Sequence, residues 1–301
     1  MKFVSLHHHG TFSFQDAIGT PEEHATIAAS YGMTSLALTD HGNVSGHVQH
    51  EKACRRNGIK PIFGCELYTA TGEQEPRKFH QTVLAMDQGG LANLYRMVSK
   101  SWEDYYRWPT VTGKTLATYH EGLIVTSGCA DSLLSCSLLG GKSIQPEDAS
   151  WERALDLAGR MKDLLGDRYY LETQIFPELP RALELNAAWE RMGSELGIPL
   201  VATCDVHTLV EGQLEIRATI HAAGRGANTI AQQMEGWEYD VPDYIPRSDA
   251  EVYERLTRAG LSPRAAAEAC RNTAAIADRC NVELPKAARF RYPATKEEMK
   301  W

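Results

Sequence analysis

The chain has 301 residues, enough for one large α/β domain of roughly 200 to 250 residues and a smaller appendage. With 43% hydrophobic and 23% charged residues and no low-complexity stretch, it reads as an ordinary folded protein and not as a disordered chain. A formal net charge of -8 excludes a uniformly basic nucleic-acid trap, so any contact with a polyanion has to be local.

The first predicted element is a strand over residues 3–6, running straight into His7, His8 and His9. Histidines that continue a strand belong to the fold; a purification tag is longer and lies outside it. Strands follow at 35–39, 61–68, 82–86, 123–126, 169–172 and 199–203, each a short apolar run. Between them, 21–32, 44–58, 90–102, 149–166 and 180–197 carry helical spacing, and several end at the glycine expected of a helix stop. Seven strands alternating with helices predict a distorted (β/α)7 barrel, although the same periodicity also fits an open doubly wound sheet.

After His207 the rhythm changes. A mixed segment at 236–247 is followed by helical patterns at 249–259 and 262–280, and the end from Leu284 is basic, then polar, with two prolines. The predicted division is a barrel over 1–210, a mostly helical appendage over 211–285 and a tail or linker over 286–301.

No apolar run approaches the length of a membrane span, and the opening residues lack the pattern of a signal peptide. Seven scattered cysteines suit reduced thiols. Together these predict a cytoplasmic protein.

Side chains that bind metals recur where the predicted strands end. His7 and His9 follow the first strand, Asp40 and His41 the second, and Glu66 lies in the third. His80 precedes the fourth, Cys129 follows the fifth, and Asp205 and His207 follow the last. In a β/α barrel those ends converge on one face. Residues two apart on a strand point the same way, so His7 with His9, and Asp205 with His207, can each serve one ion. Imidazole, carboxylate and thiolate together suit zinc, manganese or iron. Each pair alone is weak evidence, since a buried histidine is more often a hydrogen-bonded core residue. The ordered series is much stronger.

The wording of the sequence also resembles a known family. FVSLHHHGTFSFQDA, LALTDHGNVSG, GIKPIFGCELYTA, EGLIVTSGCADS and IPLVATCDVHTLV are similar, in order, to the motifs of PHP (polymerase and histidinol phosphatase) domains. The similarity is greatest to the amino-terminal PHP domain of bacterial DNA polymerase III alpha subunits. Carried over by position, the resemblance implies metal ligands at His7, His9, Asp16, His41, Glu66, His80, Cys129, Asp205 and His207, holding up to three ions. It implies hydrolysis of a phosphate ester by metal-activated water, with Asp40, His41, Glu66 and Asp205 nearest the chemistry and Asp40 orienting His41. Asp16 rests on the FSFQDA match alone.

The implied substrate is the 3′ end of DNA, with a replicative polymerase as partner. The alternatives are a small-molecule phosphatase of histidinol-phosphate type and a non-catalytic, metal-stabilised polymerase module. Nothing after Pro285 offers the paired aspartates of nucleotide addition, so no polymerase activity is expected from these residues alone. Arg77 and Lys78 beside His80, and Tyr106 and Arg107 in the aromatic segment 101–114, are candidates for substrate contact. His8 is expected to point away from the site. His24, His47, His50 and His120 are expected to have core or solvated roles, and the cysteines other than Cys129 to act as apolar fillers.

Overall fold

A computed structural model describes residues 2–141, 144–225, 229 and 244–286. Most of the mixed segment predicted at 236–247, and all but the first residue of the predicted tail, lie outside the described residues.

Seven strands form one mixed sheet. They are β1 (Ser35–Leu38), β2 (Lys60–Ala70), β3 (Phe79–Ala85), β4 (Thr110–Thr112), β5 (Leu123–Thr126), β6 (Tyr169–Gln174) and β7 (Leu200–Thr203), in the order β1-β2-β3-β5-β6-β7 with β4 paired to β2. The first predicted strand is not a regular one, yet it does a strand's work. Ser5 bridges Leu36 of β1, and His8 bridges Val206 just after β7. The amino-terminal segment therefore connects the two edges of the sheet and curls it around a common interior.

The expected parallel arrangement needs correction at β3, which runs antiparallel to both β2 and β5. Residues 71–78 join β2 to β3 as a hairpin, leaving no room for the crossover helix that a parallel neighbour requires. Ten α-helices occur among the described residues. Those that bear on the site are α1 (Pro21–Ser30), α2 (His47–Arg56), α3 (Gln88–Glu103), α4 (Gly113–Tyr119), α5 (Leu133–Leu139), α6 (Trp151–Leu165), α7 (Pro180–Leu196), α8 (Leu214–Arg225), α9 (Asp249–Arg258) and α10 (Pro263–Arg279).

Local chemistry sets the helix limits. Thr20 and Glu23 form a capping box at the start of α1, with Pro21 in its first turn. Ser150 caps α6 and Ser262 caps α10. Gly197 closes α7 at φ 64°, a conformation that costs a side-chain-bearing residue more.

The interior is layered. Its floor is apolar: Val4, Leu6, Ala37, Ile62, Leu84, Ile124, Tyr170 and Val201 pack together and are closed from below by Ile276 and Ala277 of α10 and by Cys280 just after it. The predicted appendage thus supplies the plug of the barrel, and Val4 N donates to Thr273 Oγ1 at 2.9 Å. Two residues further along β5, β6 and β7, and two back along the antiparallel β3, come Thr126, Glu172, Thr203 and Thr82, all buried. Above this polar layer stand the histidines. The outer core of the helices, with Trp189, Phe63 and Phe176, wraps the sheet from outside.

Candidate metal centre

The amino-terminal segment breaks its alternation to build the site. Val4 and Leu6 face the apolar floor, while His8 turns outward, its Nε2 2.6 Å from His24 Nδ1 and its Nδ1 3.1 Å from Ser5 Oγ. His7 and His9 both lie inside, their rings 5.0 Å apart. Leu6 and His7 are adjacent yet both point inward, and this bend is why the segment is not a regular strand.

Glu66 lies at the centre and is 1% exposed. Its Oε1 is 3.1 Å from His7 Nε2, and its Oε2 lies 2.5 Å from His41 Nδ1, 3.3 Å from His80 Nδ1 and 3.8 Å from His9 Nε2. Asp205 Oδ1 is 3.3 Å from His7 Nε2 and 3.6 Å from His9 Nε2. The ring of His207 stacks on that of His9 at 4.3 Å. Three overlapping groups bring their ligand atoms within 4.8 Å of one another: His9, His41 and His207; His7, His9 and Glu66; His41, Glu66 and His80.

His80 is the second residue of β3 and does not precede that strand, as the sequence suggested. Because β3 runs antiparallel, its amino end lies at the face where its parallel neighbours have their carboxyl ends. Cys129 reaches the same corner, with Sγ 3.6 Å from His80 Nδ1. Gly128 makes this approach possible. It adopts φ +81°, and a Cβ there would stand 2.4 Å from the backbone oxygen of His80.

Asp16 closes the opposite side. Its Oδ2 is 2.8 Å from His41 Nε2 and 3.9 Å from His207 Nε2. Its Oδ1 accepts from Arg217 at 2.7 Å and lies 2.5 Å from His221 Nε2. Arg217 and His221 were not anticipated, because α8 was not predicted as a helix. The signal was available, since the two residues sit four apart and so share one helical face.

Glu172 was also missed. It sits on β6 with Oε1 2.6 Å from His7 Nδ1, and it accepts from the hydroxyls of Thr82, Thr126 and Thr203. A carboxylate at a strand's carboxyl end was the signal here.

Asp40 acts elsewhere than expected. Its Oδ1 accepts from Gly10 N and Ser13 Oγ, and that hydroxyl lies 3.0 Å from His9 Nδ1. The aspartate therefore reaches the ring of His9 through Ser13, and not the ring of His41.

Electrostatics divide the site. Burial pushes the Asp40 carboxyl up to about 6. Burial opposes a charge on His41, but Glu66 and Asp16 outweigh it and raise that imidazole to about 9. Burial, with His41 beside it, lowers His9 to about 4. Glu66 and Asp205 are buried, yet their histidine neighbours hold both carboxyls below the usual range.

Six buried ligand atoms face one another without a hydrogen bond of acceptable geometry: His7 Nε2, His9 Nε2, His41 Nδ1, both oxygens of Glu66, and Asp205 Oδ1. Buried polar atoms are ordinarily paired. Their convergence, with nitrogen and oxygen donors mixed, fits divalent cations.

His47 and His50 have core roles, with Nε2 of each meeting a backbone oxygen, of Gly64 and Leu36 respectively, while His120 is partly exposed and contacts Arg168. At the rim, Lys78 Nζ lies 3.8 Å from the ring centroids of both Tyr68 and Trp108, and Tyr68 stacks 5.7 Å from His41. Trp102 stacks on Tyr105 at 5.8 Å and donates to Gly42 O. Arg77 is engaged by Glu75 at 2.6 and 2.5 Å. Arg107 lies 5.9 Å from the ring of Tyr106.

A curled mixed sheet with a histidine and carboxylate cluster at one end defines a class of barrel proteins shaped to bind metal. The chain belongs to the PHP domain family, whose model matches residues 5–175. It is 32% identical to the DNA polymerase III subunit alpha of Treponema pallidum (strain Nichols), over 95% of this chain and 24% of the relative. It is 31% identical to the subunit of the same name from Deinococcus radiodurans, over 97% of this chain and 22% of the relative. The chain thus spans about a quarter of the length of the curated relatives it matches. Among solved structures, a histidinol phosphate phosphatase from Lactococcus lactis aligns over 77% of this chain and 94% of that one. The identity is 14% and the TM-score 0.38, too low to draw residue correspondences.

Proposed function

We propose that this chain is a metal-dependent phosphoesterase domain that removes nucleotides from the 3′ end of DNA in the company of a replicative polymerase. The observation that carries this reading is the set of six buried, mutually facing ligand atoms without hydrogen bonds. The likeness to polymerase subunits along nearly the whole chain favours DNA over a small phosphate ester.

His7, His9, Asp16, His41, Glu66, His80, Cys129, Asp205 and His207 would hold up to three zinc, manganese or iron ions. When bound, such ions lower the pKa of water to about 7 and steady a leaving oxygen. Glu66 would offer both carboxylate oxygens to the ions, since they face different histidines. Asp205 would complete the His7 and His9 position. His41 would complete the Asp16 side, and Asp40 would set the ring of His9 through Ser13.

Lys78, Tyr106 and Arg107 are the proposed rim contacts for nucleic acid, joined by Trp102 and Tyr105 for base stacking. Arg77 contributes less, since Glu75 already holds it. Residues 1–210 would form the catalytic barrel, and 211–285 would clamp and plug it. We read the protein as cytoplasmic; no helix among the described residues is long and apolar enough to cross a membrane.

The test combines metal analysis of the purified protein with a nuclease assay on 3′-labelled single-stranded DNA in manganese or zinc. Release of mononucleotides, lost in His9→Ala and Asp205→Ala, is the expected result. Rapid hydrolysis of histidinol phosphate with DNA untouched would replace this reading with the small-molecule one. A folded, metal-free, inactive protein would leave only a structural module.

A further inference from the structure

Glu172 is a buried carboxylate that lies outside the set of converging ligand atoms. It lies one layer below them, 1% exposed, and four elements supply its partners. Thr82 of β3, Thr126 of β5 and Thr203 of β7 point their hydroxyls at its oxygens, at 3.3, 2.5 and 2.8 Å. The fourth partner is the ring of His7, with Nδ1 2.6 Å from Oε1. Its backbone is pinned as well, since Glu172 N donates to Ser127 Oγ at 2.9 Å. A hydroxyl offers a single proton, so three threonines directed at one carboxylate make it an acceptor only and leave it no freedom to rotate.

A neutral imidazole carries one proton, and the partner of one ring nitrogen decides the state of the other. The nearest atom to His7 Nδ1 is the Glu172 carboxylate oxygen, and the Thr82 hydroxyl, 3.3 Å from the same nitrogen, can give its proton to Glu172, so when a cation keeps the ring neutral the proton belongs on Nδ1. Nε2 is then left with a lone pair, aimed at the space shared with Glu66 Oε1 at 3.1 Å and Asp205 Oδ1 at 3.3 Å.

We infer that Glu172 is a positioning residue: through its hydrogen bond it fixes His7 as the Nδ1-protonated tautomer and turns Nε2 towards the cation position. The threonine layer gives the carboxylate its rigidity, and the β-barrel floor beneath prevents the ring from dropping. This inference rests on His7 being a metal ligand, as proposed above. Removing such an outer partner typically costs about 10- to 100-fold in metal affinity.

The test needs no substrate. Manganese alone is titrated into the EDTA-treated full chain of wild type, Glu172→Gln and Glu172→Ala, with circular dichroism and thermal melts run on each. Ring nitrogen shifts of His7 are recorded by NMR in the zinc-loaded protein and assigned with His7→Gln. The expected result is a protonated Nδ1 in wild type, and a folded Glu172→Gln protein whose manganese affinity falls tenfold or more. Glu172→Gln decides the matter if Glu172→Ala does not fold. A proton on Nε2 of His7 in wild type overturns the inference, as does wild-type affinity in a folded Glu172→Gln protein. Wild type that binds no manganese overturns both this inference and the functional reading beneath it.

Discussion

Asp16 and His221 are 205 residues apart in the chain, yet Asp16 Oδ1 and His221 Nε2 lie 2.5 Å apart in the fold. Arg217, one helical turn earlier, grips the same oxygen and also donates to the Asp16 backbone carbonyl. The loop after the first histidines is thereby held by α8, well beyond the last strand. We expect His221→Ala to lose about 1–3 kcal/mol of stability and to bind manganese more weakly. Urea unfolding in EDTA and a manganese titration measure the two effects, and a variant unchanged in both would show that the clamp is idle. A chain ending near residue 210 loses this clamp together with the α10 plug, and should not fold.

Metal should stabilise the fold by mass action. At a free concentration one hundred times Kd, a bound ion contributes about 2.7 kcal/mol. For a chain of this size that corresponds to a rise in Tm of about 4 °C. Calorimetry with and without manganese checks it. Glu66→Gln, which alters the carboxylate facing four histidines, should abolish most of the shift.

Gly128 can be probed independently. With φ +81° and His80 O in the way of any Cβ, Gly128→Ala must move the loop and carry Cys129 away from His80. Without metal, burial and then Glu66 and Asp205 push the Cys129 thiol well up, whereas a coordinated thiol is deprotonated. Cobalt-loaded wild type should therefore show thiolate-to-cobalt charge-transfer absorption. Its persistence at full intensity in Gly128→Ala would argue against the Cys129 assignment.

The metal-free protein should lose stability in both directions from near pH 6.5. Burial lowers His24 and His47 to about 4 and His50 to about 3, against about 6.5 in the unfolded chain. Below pH 6.5 the unfolded state binds more protons, so this stability is full above 6.5 and drains as pH falls towards 4. Each group adds a slope approaching 1.4 kcal/mol per pH unit, to order of magnitude. His41 works in the opposite sense. Raised to about 9, it contributes fully below 6.5 and is lost as pH climbs through 9. Urea midpoints at pH 5, 7 and 9.5 test both arms, and equal stability at pH 5 and 7 would refute the acid one.

Much of the fold was legible because long apolar runs and capped helices announce themselves over ten or more residues. Short elements were not. β4 has three residues and α4 and α5 have seven each, too few for a period to emerge. The antiparallel course of β3 was hidden for another reason, since strand direction depends on a connection's length and not on the strand's own residues. Of the expected ligands, His7, His9, His41, Glu66, His80 and His207 share the three tight groups. Asp16, Cys129 and Asp205 border them. What sequence could not give was the supporting layer. Glu172, Ser13, Arg217 and His221 act through other residues, and their partners lie on distant segments.

The bridge between His8 and Val206 also imposes a timetable on synthesis. His8 cannot complete its pairing until some two hundred more residues have followed it. At about 5–20 residues per second that is a wait of roughly 10–40 s. During it three adjacent imidazoles are exposed to whatever ions the cell contains, so premature chelation by an unfinished chain is a hazard this topology has to survive.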